Sequence, residues 1–225
     1  MRKLFGNRKK KENGSKNKNE NAEIAKKVLV FIDNENLWRS VKGDYPAKNV
    51  NYLELINFLK KKYAPDERLV VNLFISLLSK EEFNSGRQGF FRALDHIEQA
   101  YKVNEDIDIN MVKVPAKNER VLVENRFEIG KISQVDQRII IESVEEILPA
   151  VRKEEIIDKF ILISGDSDYL PLLNLVRKSV TENIIVIAGE KYCNEELKIS
   201  FQVEDLNKIL EENERLLLDS THSTF

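Results

Sequence analysis

Four short apolar runs without polar alternation limit what this chain can fold into. VLVFI (Val28–Ile32), LVVNLFISLL (Leu69–Leu78), KFILIS (Lys159–Ser164) and NIIVIAG (Asn183–Gly189) each read as a buried strand, and a further strand is expected around Ile107–Val114. Helix-period segments separate them. Leu53, Ile56, Leu59 and Tyr63 mark one face of a helix over Tyr52–Tyr63, and Phe90, Phe91, Leu94, Ile97 and Tyr101 mark a second. Ile139, Ile140, Val144, Ile147 and Leu148 mark a third, and Leu170–Lys178 forms a fourth. Such strands, joined by helices, predict an α/β fold: a doubly wound, mainly parallel sheet of five or six strands with helices on both faces and right-handed crossovers. The β-prone stretch VLVENRFEI (Val121–Ile129) predicts a hairpin or an irregular excursion, and two short helical segments near Glu195–Ile199 and Val203–Leu210 close the fold.

Length allows one sizeable core, here assigned to residues 26–213. Residues 1–25 are rich in Lys, Asn, Gly and Glu and too poor in apolar side chains to offset ordering entropy, so they read as a disordered basic arm. Residues 214–225 read as a C-terminal tail. Charge is unevenly shared: ten basic residues face three acidic ones up to Lys27, and 26 basic face 35 acidic ones beyond it. The arm can add salt-sensitive attraction to phosphates or serve only as a solubilising tail. No apolar run approaches the roughly 20 residues that cross a bilayer, and the N-terminus carries charge where a secretory signal needs an apolar stretch, so the expected location is cytoplasmic, away from membranes. Cys193 is the only cysteine and there are two histidines, too few for an ordinary structural zinc site, so any metal must be held by oxygen.

In a doubly wound sheet, ligands gather at the carboxyl ends of strands where neighbouring connections diverge. Asp33 directly follows the first strand, in VLVFIDNENL, and Asp166 and Asp168 directly follow the fourth, in FILISGDSDYLPLL. In the strand order 3-2-1-4-5 these two strands are neighbours, so three carboxylates from distant sequence should share one crevice. Asp136, in KISQVDQRIIIESVEEIL, opens the helix that feeds the fourth strand. Clustered carboxylates repel one another unless a proton or cation neutralises them, and Mg²⁺ or Mn²⁺ suits such oxygens. A site of that kind fits phosphodiester hydrolysis and needs no Ser, Cys or His nucleophile. The plainer alternative stays open: Asp166 or Ser167 can cap the next helix, Asp168 and Asp136 can sit favourably in first turns, and Asn34 and Asn36 can be turn residues.

These residues resemble the NYN domain family, a PIN-like group of metal-dependent ribonucleases, over approximately residues 27–212. VLVFIDNENLW and FILISGDSDYLPLLNLVRKSVTENIIVIAG look like the family's first and fourth strand motifs, VDQRIIIESVEEI resembles its central helix, and CNEELKISFQVEDLNKI is similar to its closing segment. The resemblance implies a PIN-like fold, Mg²⁺ or Mn²⁺ as cofactor, and RNA as substrate, single-stranded in expectation. It implies Asp33, Asp136, Asp166 and Asp168 as the acidic, metal-holding and catalytic set, with Asn36 as an orienting asparagine. Ser133-Gln134-Val135-Asp136 departs from the family's Lys-Gly-Val-Asp, which leaves Lys131 as a displaced candidate for phosphate contact, with Arg138 beside it; the family's second helix aspartate falls on Glu142.

Two other readings compete. One is a non-catalytic RNA-binding or protein-interaction module of the same fold. The other is a haloacid-dehalogenase-like phosphohydrolase, whose nucleophilic aspartate is followed two residues later by a second one; here that place holds Glu35. The sequence leaves the oligomeric state open, a homodimer included.

Overall fold

The computed structural model describes residues 26–77, 87–102, 104–115, 117–123, 126–132 and 134–219. The basic arm and residues 220–225 lie outside them. Strand β1 (Lys26–Asp33) leads into helix α1 (Asn34–Asp44), short strand β2 (Lys48–Val50) and helix α2 (Tyr52–Tyr63). Strand β3 (Arg68–Leu77), helix α3 (Arg87–Tyr101) and strand β4 (Ile107–Pro115) follow, then strands β5 (Lys117–Val123) and β6 (Arg126–Ile132). Helix α4 (Val135–Val151) returns to strand β7 (Ile156–Ile163), helix α5 (Leu170–Ser179) and strand β8 (Ile184–Ala188). Helix α6 (Glu195–Ser200), strand β9 (Gln202–Asp205), helix α7 (Leu206–Glu212) and strand β10 (Leu217–Asp219) complete the chain.

Six strands pair in the order β4-β3-β1-β7-β8-β9, all parallel. β1 and β7 are therefore central neighbours, and the connections after them leave in opposite directions along the sheet. Alternate β1 residues serve opposite cores, which is why the run VLVFI shows no polar alternation. Val28, Val30 and Ile32 pack with α1, α2, α3 and α7 through residues such as Leu37, Leu59, Leu94 and Ile209. Leu29 and Phe31 pack with α4, α5 and α6 through Ile139, Leu173 and Leu197. The Phe31 ring stacks on Phe160 at 5.2 Å and on Phe74 at 6.1 Å, tying β1 to both neighbours.

Several elements differ from the sequence expectation. Asn34 and Asn36 open α1 instead of forming an isolated turn, because Asp33 caps that helix and Asn34 accepts the Tyr52 hydroxyl. The buried face of α2 is Tyr52, Leu55, Ile56, Leu59 and Tyr63, while Leu53 is 41% exposed. Val203–Leu210 is not one helix: residues up to Asp205 pair with β8 as a sixth strand, and α7 begins at Leu206. Residues 214–219 do not trail as a tail. Leu216 is buried and β10 pairs antiparallel with β2, so two adjacent leucines carry the segment back onto the domain. The β-prone excursion is an antiparallel hairpin, β5 with β6.

Phe160→Ala should remove about 3–5 kcal/mol of stability, because the cavity opens beside the Phe31 ring it stacks on at the sheet centre. Ile199→Ala, at a side chain 83% exposed, should stay within about 0.5 kcal/mol of wild type. Urea unfolding followed by circular dichroism checks both.

Candidate metal centre

β1 ends at Asp33, whose extended backbone (φ −77°, ψ 100°) makes it the N-cap of α1. Its Oδ1 accepts the backbone N–H groups of Glu35 at 3.0 Å and Asn36 at 3.1 Å, a cap interaction of about 1 kcal/mol. Its Oδ2 accepts the Asn36 side-chain amide at 2.7 Å, the Tyr169 hydroxyl at 3.1 Å and the Ser164 hydroxyl at 3.4 Å. Asp33 is 1% exposed. A buried carboxylate is costly unless its lone pairs are satisfied, and a carboxylate offers about four acceptor positions. Four full donors, with a share in the single Tyr169 proton, therefore saturate Asp33.

The other acids come from two elements. β7 continues through Ser164 and Gly165 to Asp166, which caps the single helical turn Ser167–Tyr169 by accepting the Asp168 N–H at 3.0 Å. The Ser164 hydroxyl accepts the Asp166 N–H at 3.3 Å, so one serine links Asp33 to the Asp166 turn. Asp136 lies in the first turn of α4. One carboxylate oxygen from each of Asp136, Asp166 and Asp168 lies within 4.8 Å of the others. Asp33 stands outside this trio and joins it through Tyr169, whose hydroxyl also lies 2.9 Å from Asp136 Oδ1. The capping and acid-cluster readings of Gly165-Asp166-Ser167-Asp168 thus hold together: Asp166 caps the turn and contributes to the trio.

Asp136 titrates above the ordinary carboxylate range. Burial is the main cause; the Tyr169 hydrogen bond works in the opposite direction, and the charges of Asp33, Asp166 and Asp168 add to the rise. Tyr169 is fully buried and its hydroxyl is pushed far up, first by burial and then by Asp33 and Asp136, so it stays a donor. Arg138 forms an ion pair with Glu142 one turn along α4. Lys131 sits on β6, and its side chain lies outside the described residues.

The sequence missed Tyr169 and Ser164. Both flank the motif it recognised, Ser164 as the last residue before Gly165 and Tyr169 directly after Asp168. A buried tyrosine beside a run of acids needs a hydrogen-bond partner, and that was the available signal.

Comparison with known proteins gives three findings. The family model described as the NYN domain matches residues 27–203. A crystal structure of a Vibrio parahaemolyticus protein of unknown function is similar in fold, with a TM-score of 0.55, 12% identity, and coverage of 88% of this chain and 99% of that one. No curated protein matches the sequence. Among the described residues, no helix is long and apolar enough to cross a membrane.

The raised Asp136 fixes the sign of a pH effect. Folding favours the protonated carboxyl, so this group's contribution to stability falls as pH rises from its ordinary value of 3.8 through the folded value. In chelator, Asp136→Asn should gain melting temperature relative to wild type between about pH 4 and pH 7. Parallel melting curves for both proteins would disprove the assignment.

Proposed function

We infer the function of this chain from the premise that it belongs to the NYN domain family, with its PIN-like nuclease fold. The reading is a divalent-metal-dependent ribonuclease that hydrolyses RNA phosphodiester bonds at the carboxyl ends of β1 and β7. The observation that carries it is the convergence of Asp136, Asp166 and Asp168, with oxygens within 4.8 Å of one another. Ligand oxygens around one hard cation, bound at about 2.0–2.6 Å, stand roughly 3–5 Å apart, so the trio fits Mg²⁺ or Mn²⁺. No histidine or cysteine belongs to the trio, which matches a hard cation and not zinc.

Bound there, such an ion polarises a phosphoryl oxygen and lowers the pKa of a coordinated water. The chain's own residues hold and orient the site. Asp136, Asp166 and Asp168 are its ligands, supplied by α4 and the turn after β7. Asp33 is the fixed point against which they are aligned, held by Asn36 and Ser164. The Tyr169 hydroxyl, between Asp33 and Asp136, is a positioning group that keeps the α4 ligand aimed at the turn. Asp168 is the exposed member of the trio and the carboxylate available to take the proton of the attacking water.

A haloacid-dehalogenase-like mechanism fits less well. It needs an accessible oxygen on the strand-end aspartate to form a phosphoaspartate, yet both Asp33 oxygens are buried and accept hydrogen bonds.

Purified protein should cleave a labelled single-stranded RNA in Mn²⁺, and Asp33→Asn or Asp166→Asn should slow cleavage at least about 100-fold. Undiminished cleavage in both variants would exclude this site. Tyr169→Phe should keep the fold and weaken Mn²⁺ binding, read by electron paramagnetic resonance, by about 10–100-fold, as loss of a ligand-orienting hydrogen bond does. Equal Mn²⁺ affinity in Tyr169→Phe would remove its positioning role.

A further inference from the structure

Beside the acidic trio, an open pocket of about 300 Å³ lies between the turn after β7, the turn after β8 and the start of α1. Asp166 belongs to both the pocket wall and the trio. Asn36, Ser167 and Asn194 stand around it, and its wall is almost wholly polar. An unpaired base is held by its faces, through stacking on apolar or aromatic surface. A sugar–phosphate unit is held through its oxygens, by side-chain and backbone donors and acceptors. The wall therefore suits the backbone of a strand and not a base. Its size is at the lower end of ligand sites, about 300–1,000 Å³, and the opening lets a chain continue past it.

The walls are fixed to one another. The Asn194 N–H donates to the Gly165 carbonyl at 2.9 Å, and a Cβ on Gly165 would lie 2.0 Å from the Tyr192 carbonyl oxygen. The chains leaving β7 and β8 thus touch one residue before Asp166 and at Asn194 itself. On the third side, the Asn36 amide donates to Asp33 Oδ2 at 2.7 Å, and Asp33 is buried. Groups held this way lose little freedom when a ligand binds.

The same contacts decide which polar groups are left over. A carboxylate only accepts, so Asn36 turns its NH₂ to Asp33 and keeps its carbonyl oxygen as an acceptor. A backbone N–H only donates, so Asn194 turns its oxygen to the Glu196 N–H at 2.8 Å and keeps its NH₂ as a donor. Ser167 adds a hydroxyl beside Asp166. The pocket thus has an acceptor from α1 and a donor from the turn after β8. The 2′-hydroxyl of a ribose is donor and acceptor at once, and it is the group that distinguishes RNA from DNA.

We propose that this pocket seats the ribose next to the scissile phosphate and reads its 2′-hydroxyl, with the Asn36 carbonyl accepting its proton and the Asn194 amide and Ser167 hydroxyl donating to its oxygen. The proposal rests on the nuclease reading for the position of the phosphate, which Asp166 shares with the pocket. It makes preference for RNA a property of the sugar, the same for every base.

The test is binding of fluorescein-labelled hexauridylate and hexadeoxyuridylate, measured by anisotropy in Ca²⁺ with both shown intact by gel. Wild type should bind the ribose form at least about threefold more tightly, toward the low end of one net hydrogen bond. Hexaadenylate and hexadeoxyadenylate should give the same ratio. Asn194→Asp keeps the oxygen that caps α6 and removes the donor, so the ratio should fall toward one. The ratio is the readout because a merely structural loss weakens both oligonucleotides alike. If Asn194→Asp fails to fold, Ser167→Ala decides, and the ratio should fall by at least about half. A wild-type ratio near one, a preference confined to one base, or a ratio unchanged in the folded variant would each overturn the subsite. Cleavage in Mn²⁺ with a ratio near one would sink the subsite and leave the nuclease reading. An Asn194-dependent ratio without cleavage in Mn²⁺ would do the reverse.

Discussion

The parallel pairing of β1 with β7 is the constraint on which the rest of the molecule depends. Its register sets Ile32 against Ile163, so Asp33 and Ser164 leave the sheet at the same height. Only then can the Ser164 hydroxyl reach Asp33 on one side and the Asp166 N–H on the other. The register is enforced by burial on both faces. A shift of one residue would exchange Phe31, stacked with Phe74 and Phe160, for side chains shaped to the opposite core. The site therefore draws its precision from the apolar side chains packed below it, not from contacts among the acids.

The acids form a graded series in how their charge is compensated. Asp33 is buried and satisfied wholly by donors, two of them backbone N–H groups at the start of α1. Asp136 and Asp166 are partly buried and only partly satisfied, and Asp168 is exposed. Repulsion is thus concentrated where water and a cation can reach it, and it adds to the upward shift of Asp136 that burial chiefly causes. The fold does not need an ion to hold Asp33. This division leaves one carboxylate as a rigid reference while the other three are only partly satisfied. Tyr169 connects the two classes: its hydroxyl is the only described group that reaches both Asp33 and Asp136.

Much of this was legible in the sequence because the central strands are buried on both faces. Continuous apolar runs located β1, β3, β7 and β8, and an aspartate ending the first and a Gly-Asp-Ser-Asp run ending the fourth marked the crevice. Short elements were harder to see. β9 has the pattern Gln-Val-Glu-Asp, with no buried residue, and is a strand only because β8 offers its edge. Likewise, β10 exists only through pairing with β2. Asp33's place outside the trio was also hidden, since spacing shows that an acid ends a strand but not which donors will saturate it. Tyr169, directly after Asp168, carried a hint of a hydrogen-bond partner, but which carboxylates it meets depends on α4 packing across the turn, a long-range contact.

The two turns after β7 and β8 show how a parallel sheet turns packing into chemistry. Neighbouring strand ends lie close together, so their connections must either diverge or pass in contact. Here they pass in contact, with Gly165 beneath the backbone of Tyr192 and Cys193 and a hydrogen bond from Asn194 sealing the crossing. Rigidity on this side is opposed by the open flank toward Asp168. The crossing depends on Gly165: any larger residue there would meet the Tyr192 carbonyl and push the two turns apart.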